Sequence, residues 1–136
     1  MNHRHEYRVI YGDTDTAGVM YYGTYMRLFE IGRTEFMRSV YNLSYRELEE
    51  GGIVLPVVEL YARYRSPAKY DDIVVIETCL RGITRATISF QHEIRDAESE
   101  RLIAEGHTKH AATTHDGRLA RMPESLVMAA GSNPAP

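Results

Sequence analysis

The chain has 136 residues, of which 43% are hydrophobic, so it is long enough to form one domain with its own core. Its formal charge of −3 disfavours a nucleic-acid binder, which is usually basic, and also a protein that binds anionic membranes. The one cysteine, Cys79, cannot form an internal disulfide, and no apolar run reaches the length of a signal peptide or membrane span. We therefore expect a cytoplasmic protein without membrane insertion.

An Asp-rich connection near the amino terminus is the most informative stretch. Alternating apolar and polar residues predict a first strand over residues 5–11. The connection that follows, residues 11–22, reads YGDTDTAGVMYY and places Asp13 and Asp15 just before a helix. Asp, Thr and Gly are typical of a tight turn, but connections also carry catalytic residues more often than the elements they join. This stretch alone leaves both interpretations open.

Helical periodicity follows from Tyr22 to about Val40, with apolar residues at three- and four-residue steps. Gly32 lies within this helix, where glycine costs about 1 kcal/mol relative to alanine, and we expect it to permit close approach to a sheet. Residues 44–47 have the spacing of a capping box, which predicts a short second helix over residues 44–50.

Four further strands are predicted after the second helix, with a short final helix ending near Ala130. The strand segments are 58–65, 73–83, 86–95 and 102–114. One long helix and five antiparallel strands predict an α+β fold, and the open edges of such a sheet favour pairing with a second copy. We expect one domain over residues 1–130 and a flexible tail over residues 131–136.

Several kinds of site are disfavoured by the motifs. The chain has neither a glycine-rich phosphate loop nor a Gly-x-Ser-x-Gly motif. Asp13 and Asp15 resemble the start of a calcium loop, but Thr24 stands where a bidentate glutamate is needed. His107 and His110 are three residues apart on a predicted strand, which points them to opposite faces. We expect no metal and no cofactor.

A carboxylate beside a helix start has a clear chemical use. The free backbone N–H groups at the start of a helix can polarise a carbonyl and stabilise an oxyanion. An ionised aspartate nearby can act as a nucleophile or a general base. The pattern therefore indicates acyl transfer or hydrolysis of an activated carbonyl.

The motif Asp13-x-Asp15-x-x-Gly18, followed by an aromatic helix, resembles the hotdog-fold acyl-CoA thioesterases. Within these enzymes it most resembles the 4-hydroxybenzoyl-CoA thioesterase group, which includes the thioesterases associated with the Tol-Pal system. The resemblance covers residues 5–127. Weaker matches to the same group follow in the same order along the chain, at residues 56–58, 67–72, 77–79 and 121–123.

The resemblance implies a long central helix wrapped by a five-stranded antiparallel sheet. It also implies a homodimer or a tetramer of dimers, with active sites at the dimer interface. By motif position, the catalytic residue is Asp15 and the carbonyl-polarising backbone N–H belongs to Tyr22. Asp13 and Gly18 then shape the turn. Some relatives carry a histidine at the Tyr22 position, and its absence here disfavours a histidine-assisted mechanism.

Substrate or CoA contacts are implied by the same resemblance at Tyr21, Pro56, Val57, Lys69 and Arg85. The subfamily has a cluster of basic residues around Arg85, which this chain lacks, so a substrate bound to an acyl-carrier protein stays open beside acyl-CoA. Glu30 and Arg33 are spaced for an ion pair on one helix face, which we favour over a catalytic role for Glu30.

The expected activity is hydrolysis of an acyl thioester to the free acid and CoA. Asp15 either attacks the carbonyl to form a mixed anhydride or activates water, and the sequence does not separate these routes. Two other function classes stay open. A hotdog-fold hydratase would need a histidine shortly after the aspartate, and no histidine follows Asp15 before His92. A non-catalytic acyl-binding module is disfavoured only by the retention of Asp15 and Gly18.

Overall fold

One antiparallel sheet and one long helix dominate residues 2–131, which are the residues that this computed structural model describes. The elements follow the predicted order. They are β1 (Asn2–Arg8), α1 (Thr24–Tyr41), α2 (Tyr45–Glu50), β2 (Val57–Tyr64), β3 (Ile73–Ile83), β4 (Thr87–Asp96), β5 (Leu102–Ala111) and α3 (Glu124–Gly131). The predicted α+β class is confirmed, and no helix of the described part of the chain is long and apolar enough to span a bilayer.

The five strands lie in the order β1-β3-β4-β5-β2, so β1 and β2 form the two edges of the sheet. The predicted bounds of the first strand were wrong by three residues at each end, because its pairing with β3 runs from Asn2 opposite Cys79 to Arg8 opposite Ile73. Beyond Arg8 the chain leaves the sheet and makes a single 3-10 turn at Tyr11–Asp13. The turn directs the Asp-rich connection towards the start of α1.

Helix α1 lies against the sheet through a buried apolar face. Phe29 and Phe36 on this face are fully buried, and burying each ring contributes about 1.5–3 kcal/mol to folding. A Cβ atom added at Gly32 would lie 2.5 Å from Thr78 Oγ1 and 2.6 Å from Ile76 Cγ2, both on β3. The expected close approach of helix to sheet at Gly32 is therefore present.

The two short helices cover one end of the sheet. Ser44 caps α2, accepting a hydrogen bond of 3.1 Å from the Glu47 N–H, and this confirms the predicted capping box. Helix α3 buries Leu126 and Ala130 in the cluster around Phe36. It includes Gly131, the first residue of the predicted tail, and residues 132–136 lie outside the described residues.

Candidate active site

The Asp-rich connection forms a tight loop between the 3-10 turn and α1. The N–H of Asp15 donates to the carbonyl of Val19 at 2.9 Å, and the N–H of Gly18 donates to the carbonyl of Asp15 at 3.0 Å. Gly18 has a φ of +82°, which is in the left-handed region that side chains disfavour. The glycine therefore allows the chain to reverse in a turn that begins at Asp15.

The two carboxylates of the loop have opposite environments, and Asp13 is the buried one. Its carboxylate accepts hydrogen bonds from the Tyr7 hydroxyl at 2.7 Å and the Ile10 N–H at 2.9 Å, and it forms an ion pair with Arg27. Its backbone carbonyl accepts from the Tyr21 N–H at 2.8 Å. Asp13 therefore joins β1, the loop and α1, which supports the structural role expected for it.

Asp15 is exposed and makes few contacts. Its Oδ1 accepts one hydrogen bond of 2.8 Å, from the N–H of Ala17 within the same loop. Its Oδ2 accepts no hydrogen bond from any residue between 2 and 131. One oxygen of this carboxylate is thus oriented by the loop, while the other is available to a substrate or to water.

The Tyr22 peptide lies just before the first residue of α1. Helix α1 begins at Thr24 with Gly23 as its N-cap, two residues later than predicted. In the described chain the Tyr22 N–H has no hydrogen-bond acceptor, as expected for a donor at a helix start. The Tyr64 hydroxyl donates to the Tyr22 carbonyl at 3.0 Å and so holds this peptide in place.

Asp15 and Tyr22 line the same open groove, which has a volume of about 440 Å³. Tyr25 and Tyr64 form one wall with their rings edge to face, 5.1 Å apart. Burial raises the pKa of Tyr25 to about 12, so its hydroxyl stays neutral at physiological pH. The remaining lining residues are Val19, Met20, Arg65, Ser66 and Pro67. The groove thus brings Asp15 and Tyr22 together beside an aromatic wall.

Two of the other predicted contacts lie near this loop. Lys69 is exposed and pairs through its backbone with Val19, on the far side of the loop from Asp15. Tyr21 is exposed and packs its ring against Tyr22, with ring centroids 4.5 Å apart.

Three residues that were predicted to contact the substrate or CoA lie away from Asp15 in a single chain. Pro56 and Val57 lie at the start of β2, whereas the groove of Asp15 adjoins its other end at Tyr64. Seven strand steps separate Val57 from Tyr64, which is roughly 23 Å. Arg85 lies in the turn between β3 and β4, beside Arg121 and α3, and also apart from Asp15.

Sequence reasoning missed the partners of Asp13. No role was predicted for Arg27 or Tyr7, yet the Arg27 guanidinium and the Tyr7 hydroxyl both reach the buried carboxylate. The predicted ion pair of Glu30 and Arg33 is present, with 3.8 Å between Oε1 and Nη2. The sequence offered one signal for the contact with Arg27: an acidic residue, Asp13, lies in a turn, and a basic residue lies on the helix that follows.

The described residues hold no group of three histidine, cysteine, aspartate or glutamate side chains placed to bind a metal ion. Cys79 is half-buried on β3, and burial raises the pKa of its thiol. Cys79 is not among the residues that line the groove of Asp15.

Comparisons with known proteins agree with this architecture. The model of the thioesterase-like superfamily matches residues 9–130. The acyl-CoA thioester hydrolase YbgC of Escherichia coli O157:H7 is 32% identical over 95 residues, which are 70% of each protein. The acyl-CoA thioesterase YbgC of Haemophilus influenzae is 37% identical over 87 residues, or 64% of each.

Solved structures show the same fold. The DHNA-CoA thioesterase of Staphylococcus aureus superposes with a TM-score of 0.91 at 26% identity, covering 97% of this chain and 90% of that one. The protein TT1821 of Thermus thermophilus gives a TM-score of 0.87 at 30% identity and 95% coverage of both chains. The predicted hotdog fold and family are thereby confirmed, and the chain belongs to the thioesterase-like superfamily.

Proposed function

We propose that the protein is an acyl-CoA thioesterase that uses Asp15 as its catalytic carboxylate and the Tyr22 N–H as its carbonyl-polarising donor. One observation carries the assignment: Asp15, whose exposed carboxylate has a free oxygen, and Tyr22, whose N–H at the helix start has no acceptor, line one groove. The family match and the names of the relatives support the thioester as the bond that is cleaved.

The reaction would proceed by addition to the thioester carbonyl. The Tyr22 N–H would stabilise the negative charge that develops on the carbonyl oxygen. Asp15 would either attack the carbonyl carbon or take a proton from an attacking water. The C–S bond then breaks, the CoA thiolate leaves and is protonated, and water supplies the new oxygen of the carboxylic acid.

We further propose that a homodimer, alone or within a tetramer, completes the site. Strand β2 is an edge of the sheet and exposes Val58, Leu60 and Tyr61. Antiparallel pairing of β2 with a second copy would bring the Val57 end of one chain beside the Tyr64 end of the other. This pairing would unite Pro56 and Val57 with Asp15, which one chain alone keeps apart.

A carrier-protein thioester is the second candidate substrate. Arg85 shares its pocket with one other basic side chain, that of Arg121, and with the acidic Glu124. A pocket with few basic side chains disfavours tight binding of the CoA phosphates. Asp15 and the Tyr22 N–H would cleave the thioester in the same way whether CoA or a carrier protein holds the acyl group. Comparing CoA and carrier-protein thioesters of one acyl group would distinguish the two.

Release of free thiol from a panel of acyl-CoAs tests the function, and Asp15→Asn tests the residue. The variant should lose activity by roughly 10²–10⁴-fold, a typical contribution of a general base, while its melting temperature stays unchanged. Asp96→Asn is the matched control, since Asp96 is a partly exposed aspartate whose carboxylate likewise accepts backbone N–H bonds in a turn. Wild-type activity in Asp15→Asn would refute the assignment, and a wild-type protein without thiol release would refute the function.

Single turnovers in heavy-oxygen water distinguish the two routes. Attack by Asp15 forms an anhydride whose hydrolysis can leave the heavy oxygen in the Asp15 carboxylate. Activation of water delivers the heavy oxygen to the product acid only. Mass spectrometry of the peptide that contains Asp15 reads out the difference.

A further inference from the structure

The chain enters α1 through a turn whose central peptide can take two orientations. The N–H of Thr24 donates to the carbonyl of Tyr21 at 2.9 Å, which closes a four-residue turn with Tyr22 and Gly23 at its centre. Glycine in the third position permits both orientations, because the rotated one requires a positive φ there. Gly23 has a φ of −70° and a ψ of −22°, so the turn is in the helical orientation.

One side chain holds this central peptide. The Tyr22 carbonyl accepts a hydrogen bond of 3.0 Å from the Tyr64 hydroxyl. In the part of the chain that the structure describes, no other group hydrogen-bonds to this carbonyl or to the N–H of Gly23, which belongs to the same peptide. Rotation of the peptide would turn the carbonyl away from Tyr64. The hydrogen bond therefore favours the helical orientation.

Tyr64 is itself firmly held. It ends β2, and the next two residues, Arg65 and Ser66, both donate their N–H groups to the carbonyl of Ile103, at 2.8 and 3.1 Å. Its ring packs edge to face against Tyr25, which is only 3% exposed. The hydroxyl of Tyr64 thus connects a fixed part of the sheet to the turn before α1.

The hydroxyl of Tyr64 has one hydrogen bond among residues 2–131, the one to Tyr22. A phenylalanine ring would pack against Tyr25 in the same way, so packing alone does not require the hydroxyl. Burial and the neighbouring Tyr22 raise the pKa of Tyr64, which keeps the hydroxyl protonated and able to donate at neutral pH.

The orientation of the Tyr22–Gly23 peptide matters to the electrostatics of the groove. Peptide dipoles aligned with a helix make its start positive, and a preorganised positive end stabilises an oxyanion. Rotation of this peptide would reverse its dipole next to the Tyr22 N–H. Small displacements of groups that position a substrate can be costly to the rate, so loss of the hydrogen bond should slow the reaction.

We propose that Tyr64 is a positioning residue that holds the Tyr22–Gly23 peptide in its helical orientation and so keeps the Tyr22 N–H effective as the carbonyl-polarising donor. The inference rests on the proposed thioesterase function and adds to it the residue on which the donor depends. Tyr64 acts through Tyr22. Because every substrate presents the same thioester carbonyl, its contribution is the same for different acyl groups.

Tyr64→Phe tests the proposal, since it removes the hydroxyl and keeps the ring. With several acyl-CoAs, kcat should fall by about two- to tenfold, the range expected for the net contribution of one hydrogen bond. KM should stay within about twofold, as for an interaction that acts in the transition state. Thermal unfolding and light scattering should show an unchanged melting temperature and oligomeric state.

A double-mutant cycle with Gly23→Ala tests the rotation itself. Alanine disfavours the positive φ of the rotated turn, so Tyr64→Phe should cost less in the Gly23→Ala background than in the wild type. A Cβ at residue 23 would displace the Tyr21 ring, from which it would lie 2.6 Å, but this change is present in both members of that background and cancels in the comparison.

Tyr61→Phe is the matched control. Tyr61 is also on β2 and is 48% exposed, against 47% for Tyr64, and its hydroxyl has no hydrogen bond to any described residue. This variant should keep the kcat and KM of the wild type.

Four outcomes would overturn the role of Tyr64: an unchanged kcat in Tyr64→Phe, a change in KM alone, a loss that differs between acyl groups, or an equal loss in both Gly23 backgrounds. A loss of activity that follows unfolding or dissociation of the variant would overturn it as well. A wild-type protein that releases no thiol from any acyl-CoA would instead refute the proposed function.

Discussion

The Tyr7 hydroxyl donates a hydrogen bond of 2.7 Å to the buried carboxylate of Asp13 and thereby ties β1 to the loop that presents Asp15. Burial raises the pKa of Tyr7, so the hydroxyl keeps its proton and remains a donor. The ion pair of Asp13 with Arg27 ties the same carboxylate to α1. The position of Asp15 relative to the helix start therefore depends on Asp13, a neighbouring aspartate with a structural role.

Replacement of Asp13 should destabilise the fold, whereas replacement of Asp15 should not. Asp13→Ala leaves the Tyr7 hydroxyl, the Ile10 N–H and the Arg27 guanidinium without their acceptor, which we expect to cost about 3 kcal/mol. Urea unfolding of Asp13→Ala measures the loss, with Asp116→Ala as an exposed-aspartate control. Equal stability of Asp13→Ala and the wild type would contradict the structural role.

The approach of α1 to β3 predicts that Gly32→Ala is destabilising. Alanine favours the helix by about 1 kcal/mol over glycine, but its methyl group would meet Thr78 and Ile76 at less than normal contact distance. Overpacking of this kind costs about 1–3 kcal/mol, so the net effect is a loss of up to roughly 2 kcal/mol. Thermal unfolding provides the test. Gly82→Ala, where a Cβ meets nothing within 4 Å, should change stability much less.

A buried pair of histidines predicts loss of stability in mild acid. Thr108 bridges His92 and His110 through hydrogen bonds of 3.1 and 3.0 Å. Burial, reinforced by Arg33, holds the pKa of His92 well below its ordinary value and lowers that of His110 to about 4. Below about pH 6.5 the unfolded chain therefore binds protons that the folded chain excludes, and stability falls as the pH drops towards 4.

The expected slope is about 1.4 kcal/mol per pH unit for each histidine once the unfolded state is protonated. Urea unfolding between pH 7 and pH 5 measures it, and His110→Gln should flatten the dependence. His115→Gln changes an exposed histidine and should leave the slope unaltered. An identical slope in His110→Gln and the wild type would show that the buried ring does not control acid stability.

Pairing through β2 predicts that a charge on this strand yields inactive monomers. Leu60 lies in the middle of β2 and is 46% exposed in a single chain. Leu60→Asp should oppose burial of the strand and separate Pro56 and Val57 from Asp15 of the second copy. Light scattering measures the mass, and thiol release measures activity. Leu119→Asp, at an exposed residue beyond β5, should remain dimeric; a fully active Leu60→Asp dimer would refute the pairing.

Local sequence patterns were sufficient for the elements of this fold. The β-branched residues of segment 73–83 predicted β3 with its bounds, the capping box at Ser44 predicted α2, and helical periodicity predicted α1 to within two residues. The first strand was misplaced, because its ends are determined by pairing with β3. Val9 and Tyr11 continue the spacing of Tyr7 past the last pair at Arg8, although Ile10 breaks the alternation. Such patterns depend on residues that are close together along the chain. They do not identify the distant strand with which a segment pairs.

The sequence by itself determined the family, the order of the elements and the loop in which Asp15 precedes a helix start. Only the tertiary structure decided that Asp13 is buried by Tyr7 and Arg27, and that Pro56 and Val57 lie at the opposite end of β2 from Asp15. It also decided that Arg33 is enclosed beside Tyr45. Burial and pairing depend on which distant segments the sheet brings together, whereas helix and strand periodicity depend on residues only a few positions apart.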